Sequence, residues 1–260
     1  MKLMINHQTH YQYTEQAKNS VQYIKMMPFD NRHQKVHYWD ISVPGERQMQ
    51  RDAFNNLWMT CSQRFPYQSM TIMAQGVVEI NPESEQGIED DLNPYIFLQP
   101  TQSTLCNAEM KAFAHQYVPA TPTRNDLIDL SAAILEHMPY TPEATSVHTS
   151  AIDAFSHQQG VCQDHSHVMI AMCKALGLPA RYISGYLYSD NISHLASHAW
   201  AEVYIEDKWH CFDVSNQLFT PKAHIYVAIG RDYWDVAPVR GVREQGGEES
   251  MYSIVQVLSC

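Results

Sequence analysis

The chain has 260 residues, of which 45% are hydrophobic and 17% charged, and its formal net charge is −11 at pH 7. This composition is typical of an ordered globular protein, and the length allows one large domain or two modest ones. The acidic balance argues against sequence-independent binding to nucleic acid, which needs lysine and arginine to displace counterions. We therefore expect a globular protein without a nucleic-acid partner.

The first residues, "MKLMINHQTHYQY", contain no apolar segment with a small-residue cleavage site, so we expect no signal peptide. No run approaches the roughly 18 apolar residues that cross a membrane, so we expect no membrane association. The six cysteines are widely and irregularly spaced, without a C-x-x-C pair. These features predict free thiols in a reducing cytoplasm and no cofactor.

The first part of the chain, residues 1–105, is predicted to form an all-β domain. Segments such as "VQYIKMMPF", "HQKVHYWDISV" and "QSMTIMAQGVVEI" are rich in aromatic and β-branched residues and are separated by turn residues. Their spacing predicts an antiparallel sandwich, with a hairpin around "RFPY". We find no catalytic cluster in this part.

The second part, residues 106–260, has helical patterns first and strand patterns after them, which predicts an α+β domain. Helical periodicity follows "ATPTRNDL", a short helix is predicted over "SAIDAF", and a longer one runs from "CQDHSHVM" to Gly177. Strand alternation then appears in "ARYISGYLY", "HAWAEVYI", "KWHCFDV" and "HIYVAIG", with "EDKW" as a tight turn. The tail "SMYSIVQVL" alternates again and is predicted to pair back onto a sheet.

A cysteine, Cys162, stands where the longer predicted helix begins. Thiols attack as thiolates, and the unpaired N–H groups and the dipole of a helix N-terminus favour the thiolate. Gly160, two residues earlier, would let a substrate carbonyl approach backbone N–H groups that stabilise an oxyanion. The alternative is an inert buried thiol. The junction of loop and helix favours the nucleophile.

A nucleophilic cysteine needs a nearby base, and that base needs an orienting group. His198 opens the predicted strand in "SHAWAEVYI", and Asp213 ends the next strand in "WHCFDVSN". A hairpin places these two residues on neighbouring strands, and a helix packed across the sheet brings Cys162 to them. The sequence therefore predicts a triad of Cys162, His198 and Asp213.

Other histidine patterns do not favour a metal site. His194 and His198 are four residues apart in "HLASH", but no glutamate follows the first histidine and the segment leads into a strand. His210 and Cys211 are neighbours in a predicted strand, so their side chains point to opposite faces. We predict no metal ligands in this chain.

Four segments carry the motifs of a known family: "TSAIDAFSHQQGVCQDHSHVMIAMCKALGLPARYISGYLY", "SHAWAEVYI", "WHCFDVSN" and "HIYVAIGRDYWDVAPVRGV". They resemble the transglutaminase-like cysteine-enzyme superfamily, in particular its bacterial two-domain branch. The resemblance implies a papain/transglutaminase-like core, in which the helix carrying the cysteine packs on an antiparallel sheet, preceded by a β-rich domain. It also implies Cys162 as nucleophile, His198 as base and acid, and Asp213 as the orienting carboxylate.

The resemblance also suggests where the pocket lies. Tyr140 lies upstream of the nucleophile where the family has an aromatic residue, and it is a candidate for lining the pocket or aiding the oxyanion, with core packing as the alternative. Trp200, two residues past His198 and so on the same strand face, is also a candidate substrate or oxyanion residue; it either shields the imidazole or packs against the helix. The sequence departs from the family pattern at Ser215, in Asp-Val-Ser instead of Asp-Pro-Thr, and at His165, where an aromatic residue is common.

Three functions stay open at this point. The resemblance implies thiol-dependent acyl transfer on a peptide or protein substrate. In the first function water clears the thioester, and in the second an amine clears it. The third function is a non-catalytic binding module on the same fold. Because water is the default acceptor unless the site excludes it, we expect a cysteine peptidase or amidase ahead of a transglutaminase.

Overall fold

The computed structural model describes residues 1–189 and 197–260, so His194 of the "HLASH" pattern lies outside the described residues. Its strands form one sheet of seven and one of four, and every named strand pair is antiparallel. The strands are β1 (Lys2–Ile24), β2 (Gln34–Ser42), β3 (Glu46–Arg51), β4 (Leu57–Gln63), β5 (Tyr67–Ile80), β6 (Ala180–Leu187), β7 (His198–Ile205), β8 (Lys208–Phe212), β9 (His224–Gly230), β10 (Val239–Gln245) and β11 (Glu249–Ser259). The helices are α1 (Ala108–Ala114), α2 (Arg124–His137), α3 (Ala151–His157), α4 (Cys162–Ala175) and α5 (Tyr233–Val236).

The larger sheet is built around β1, a strand of 23 residues. β5 pairs with the first part of β1 and β4 with its last part, while β11 and β10 pair with the same two parts along the other edge of β1. β4 and β5 therefore follow one edge of β1 in succession and do not pair with each other. The predicted hairpin around "RFPY" is wrong, because the chain continues along β1 at this point instead of turning back.

The predicted sandwich takes the form of a single hydrogen-bonded sheet. Its strands nevertheless share one apolar core, in which Ile41 of β2 and Met59 of β4 join Ile72 of β5 and Tyr13 of β1. The β-rich character of the N-terminal region is confirmed.

The end of the chain returns to this first sheet. β10 pairs with β1 from Ile24↔Val239 to Ala17↔Gln245, and β11 continues from Tyr13↔Glu249 to Leu3↔Ser259. The tail thus pairs back onto a sheet as expected, and that sheet is the N-terminal one. The division of the chain at residue 105 stays a prediction. β10 and β11 belong to the second region by their place in the sequence, but their hydrogen bonds join them to the sheet of the first region.

The smaller sheet has the strand order β8-β7-β6-β9, and α4 packs against it. Val168 and Met172 of α4 share a buried apolar cluster with Ala201 and Val203 of β7. β7 and β8 form a hairpin whose turn residues, Glu206 and Asp207, have φ of 56° and 59°. A helix carrying the candidate nucleophile on an antiparallel sheet is the predicted α+β core, and it is confirmed. No helix among residues 1–189 and 197–260 is long and apolar enough to span a membrane.

Candidate active site

Cys162 is the first residue of α4, and its side chain is partly exposed. The loop that enters the helix is held by the Asp164 carboxylate, which accepts hydrogen bonds from the Val161 N–H at 2.8 Å and from the Thr145 hydroxyl at 2.6 Å. N–H groups in the first turn of a helix have no acceptor within the helix, so they are available to an oxyanion beside the thiol.

Gly160 has a packing reason to be glycine. A Cβ at this position would lie 2.7 Å from the Cβ of Asp164, which is closer than real Cβ atoms approach. The carbonyl of Gly160 also accepts a hydrogen bond from the Thr141 N–H at 2.8 Å. The glycine therefore lets the entering loop pack tightly on the helix cap, and its predicted part in the oxyanion site stays a prediction.

The structure brings His198 and Asp213 together at the end of the β7–β8 hairpin. His198 begins β7, Asp213 follows β8, and the His198 Nε2–H donates to the Asp213 Oδ2 at 2.7 Å. Burial disfavours the charged imidazole, but the Asp213 carboxylate and the adjacent Cys162 thiol group outweigh it and raise the pKa of His198 to about 10. The three residues of the predicted triad thus meet at one point, with a protonated histidine between a carboxylate and a sulfur.

Asp213 is fully buried and receives three further hydrogen bonds that the sequence did not indicate, one of them from the Asn216 backbone N–H at 3.3 Å. The Asn216 side-chain amide donates to it at 2.9 Å, and the His224 Nε2–H donates at 3.1 Å. Burial alone would raise the pKa of the Asp213 carboxyl, but His198 and His224 reverse this and hold it far below its usual range. The carboxylate therefore stays ionised.

His224 differs from His198 although both contact the same carboxylate. It is completely buried at the start of β9, and burial lowers its pKa despite the neighbouring Asp213. Its Nδ1 has no hydrogen-bond partner among the described residues. The only sequence signal for His224 is its place in the family-like segment "HIYVAIG", which gives no indication of its contact.

Among the residues that the structure describes, His198, Asp213 and His224 also form the one group of three with possible metal-ligand atoms, all within 4.8 Å of one another. Two imidazoles and a carboxylate are a ligand set that suits zinc and similar ions. Here the three side chains are joined by direct hydrogen bonds. The absence of a metal from this protein stays a prediction.

Trp200 and Tyr140 lie on different sides of the site. The Trp200 ring is fully buried and stacks beside the imidazole of His198, with ring centroids 6.0 Å apart and planes at 25°. Tyr140 is half-exposed at the mouth of the site, and burial and then the Cys162 sulfur raise its phenol pKa. Trp200 thus shields the imidazole from water, while Tyr140 is accessible to a substrate.

The two departures from the family pattern contact each other. The Nδ1 of His165 lies 2.8 Å from the hydroxyl of Ser215, and its Nε2 lies 2.7 Å from the Met138 carbonyl. His165 is one of several consecutive polar residues of α4 that are buried. This helix is therefore covered by the rest of the protein on more sides than its apolar face alone. This contact ties α4 to the segment that carries Asp213.

The site opens into a groove of about 660 Å³. Cys162 and His198 line it together with Tyr182 of β6, and the exposed residues Tyr140 and Asn216 form part of its rim. A groove of this size accommodates several residues of an extended peptide and leaves the sulfur reachable from solvent.

Two family models match the chain in succession. The model of the transglutaminase-like superfamily matches residues 111–214, and that of the bacterial transglutaminase-like N-terminal region matches residues 3–79. Among curated proteins, "Uncharacterized protein ML0607" of Mycobacterium leprae is 26% identical over 274 residues, covering 98% of each chain. "Uncharacterized protein Rv2569c" of Mycobacterium tuberculosis is 25% identical over 282 residues, covering 96% of this chain and 90% of its own.

A solved structure from Cytophaga hutchinsonii, described as "a Putative Cysteine Protease", is similar over 100% of this chain and 91% of its own, with a TM-score of 0.80 and 22% sequence identity. At that identity the similarity shows the fold. The two family matches together cover well over half of the sequence, and they support a thiol-dependent enzyme at the level of the family. The chain belongs to the transglutaminase-like superfamily, with the bacterial transglutaminase-like N-terminal region preceding its core.

Proposed function

We propose that the protein is a cysteine peptidase or amidase, which cleaves a peptide or amide bond through a thioester on Cys162. The observation that supports it best is the His198–Asp213 hydrogen bond of 2.7 Å beside a partly exposed Cys162 at a helix N-terminus. A buried carboxylate that orients a protonated imidazole next to a thiol is the arrangement that thiol-based acyl transfer requires.

In the acylation step, the Cys162 thiolate attacks the carbonyl carbon of the substrate and forms the new C–S bond. The carbonyl oxygen becomes an oxyanion, which first-turn N–H groups of α4 stabilise. The C–N bond then breaks, and the His198 imidazolium donates its proton to the departing amine. Since Nε2 of His198 bonds to Asp213, the nitrogen that exchanges a proton with the reacting groups is Nδ1.

In the second step, water attacks the thioester while the now neutral His198 accepts its proton. The C–S bond breaks, the carboxylic acid product leaves, and the thiolate and imidazolium are restored. The partly exposed sulfur and the exposed groove rim support water as the acceptor, because bulk solvent has access to the thioester.

Transfer to an amine is the second candidate, favoured by the match of the core to the transglutaminase-like superfamily. Both reactions share the thioester and differ only in the group that clears it. The peptide or protein substrate, the lack of a nucleic-acid partner and residence in the cytoplasm stay predictions.

A peptide library separates the candidates. We expect the wild-type protein to release new carboxyl and amino termini from a subset of peptides, and Cys162→Ala to release none. A fluorescent primary amine added to the same reactions becomes attached to glutamine side chains only if amine transfer occurs. Cys260→Ala, which removes an exposed thiol outside the groove, is the matched control and should behave as wild type. Equal turnover by wild type and Cys162→Ala would exclude both reactions at Cys162, and no turnover by either protein would leave a binding module.

A further inference from the structure

A second pocket, of about 400 Å³, lies outside the groove that contains Cys162. Its lining comes from both parts of the chain, with Tyr23 of β1 and Trp58 of β4 from the first and Trp234 of α5 and Arg240 of β10 from the second. No residue of the catalytic cluster lines this pocket. We therefore asked what it is suited to bind.

The walls of this pocket are mainly aromatic. Tyr23 and Trp58 stack on each other with ring centroids 5.5 Å apart and planes at 20°, and the guanidinium of Arg240 lies 5.4 Å from the centroid of the Trp234 ring. Tyr23 is 43% exposed, and Trp58 and Trp234 are partly exposed, so aromatic surface faces solvent here. Flat aromatic surfaces that line a pocket favour an aromatic or large aliphatic side chain as its occupant.

The pocket also carries one uncompensated positive charge. Lys25 and Asp52 neutralise each other through an ion pair of 2.6 Å. Arg240 is exposed, donates to the Trp234 carbonyl at 3.2 Å and forms no ion pair with a carboxylate in the described part of the chain. On a protein with a net charge of −11, a lone cation beside aromatic walls favours a ligand with a carboxylate next to its apolar group.

The pocket lies next to the catalytic groove, and α5 and the residues after it form the wall between them. Tyr233 and Pro238 line the groove, while the neighbouring Trp234 and Ala237 line the pocket. The rings of Tyr233 and Trp234 are in edge contact at 5.3 Å. A single turn of helix thus separates the two cavities.

The loop beside the nucleophile also reaches this wall. The ring of His148 lies 5.1 Å from that of Trp234. The residue before it, Val147, accepts a hydrogen bond through its carbonyl from the side chain of Gln163, which follows Cys162, at 3.2 Å. This loop therefore contacts both the first turn of α4, beside Cys162, and the wall of the pocket.

We propose that this pocket is a substrate subsite, which binds an aromatic or large aliphatic residue adjacent to an acidic residue of the peptide cleaved at Cys162. This inference rests on the proposed function and assigns the N-terminal sheet a part in substrate selection. The aromatic side chain lies between Trp58 and Trp234, and the neighbouring carboxylate pairs with Arg240.

The test measures binding in a protein that cannot turn over. Four fluorescent peptides carry Phe-Glu, Phe-Gln, Ala-Glu or Ala-Gln in an otherwise constant sequence, and the pair is moved stepwise along each side of a central amide bond. Their affinities for Cys162→Ala are measured by fluorescence anisotropy. At one position of the pair we expect Phe-Glu to bind about tenfold or more tightly than Ala-Gln.

Two further substitutions, each in the Cys162→Ala protein, divide that preference. Trp58→Leu should remove the preference for Phe and keep that for Glu, and Arg240→Gln should do the reverse. Arg240 is exposed, so its variant folds even if Trp58→Leu does not. Phe65→Ala, 82% exposed in the wild type, and Arg64→Gln are matched controls outside the pocket and should retain both preferences.

Four peptides that bind alike at every position, or a preference that survives both pocket substitutions, would overturn the subsite. Cleavage by the wild-type protein is scored separately. Pocket-dependent binding without Cys162-dependent cleavage supports the subsite and rejects the proposed hydrolysis, whereas cleavage without pocket dependence does the opposite.

Discussion

The two ends of α4 each carry a cysteine, and the comparison shows what the fold does to a thiol. Cys162, at the N-terminus, is partly exposed in the groove beside His198. Cys173, in the last turn, is fully buried in the apolar core, and burial raises the pKa of its thiol far above the usual value. The same side chain on the same helix is thus open to the groove at one end, where we propose that it is the nucleophile, and part of the apolar core at the other.

The largest expected effect is on turnover and distinguishes the two ends of the helix. Cys162→Ala should reduce the hydrolytic rate on the order of 10⁴-fold or more, because the covalent step is lost. Cys173→Ala should leave that rate near wild type and lower the free energy of unfolding by about 1 kcal/mol through the small cavity it creates. Peptide hydrolysis and chemical denaturation measure the two quantities. Loss of turnover in Cys173→Ala with an intact fold would contradict the comparison.

The two histidines on Asp213 extend the comparison. His198→Gln should lower kcat roughly 10²- to 10⁴-fold, because the acid and base is removed. His224→Leu should act mainly on stability, costing about 1 to 3 kcal/mol, because the buried Asp213 loses a hydrogen-bond donor. Steady-state kinetics and urea denaturation of both variants check this. A kcat of His224→Leu as low as that of His198→Gln would show that the second histidine takes part in the chemistry.

The pH dependence of the stability of the fold follows from the His198 pKa of about 10. Since this value is above the ordinary 6.5, the charged histidine stabilises the fold most at low pH, and its contribution is lost as the pH rises through about 10. The Asp213 carboxylate, with its lowered pKa, contributes above its ordinary range and loses this contribution as the pH falls.

Hydrolysis should therefore have an alkaline limit set by His198, which no longer protonates the leaving amine once it is neutral. Asp213→Asn removes the charge that raises the His198 pKa, so the alkaline limit should move toward neutral pH. The kcat profile of both proteins between pH 5 and 11 measures the displacement. An unchanged alkaline limit in Asp213→Asn would assign it to another group.

The smallest expected effect is on the free energy of unfolding and concerns the N-terminus of α4. Asp164→Ala removes the side chain that caps the helix through the Val161 N–H, and it should lower the free energy of unfolding by about 0.5 to 2 kcal/mol. Asp129→Ala, an exposed position on α2, is the matched control. Thermal denaturation measures the difference. Equal stability of the two variants would show that the cap does not hold the nucleophile's helix.

Local patterns in the sequence were enough to predict the elements that position the triad. The Gly-x-Cys step before an apolar stripe places Cys162 at a helix start, and alternation around "EDKW" places His198 and Asp213 on one hairpin. These are short-range features, which periodicity and turn residues determine directly.

The features that the sequence did not predict depend on contacts between distant segments. Pairing of β4 and β5 with one strand of 23 residues has the same local alternation as a hairpin, so only the register with β1 distinguishes them. In the sequence, His224 occupies an ordinary strand position, and its contact with Asp213 depends on the pairing of β9 with β6 in the smaller sheet. Asn216 reads as a turn residue, and α1, at seven residues, is too short for a clear helical pattern.

The most direct measurement is the alkylation rate of each of the six cysteines in the native protein at pH 7, mapped by mass spectrometry. Cys162 should react fastest and slow down in His198→Ala, whereas the buried Cys173 and Cys211 should react only when the protein unfolds. If Cys162 reacts no faster than the exposed Cys260, or if its rate is unaffected by His198→Ala, the sulfur and the imidazole do not act as a pair and the proposed chemistry is wrong.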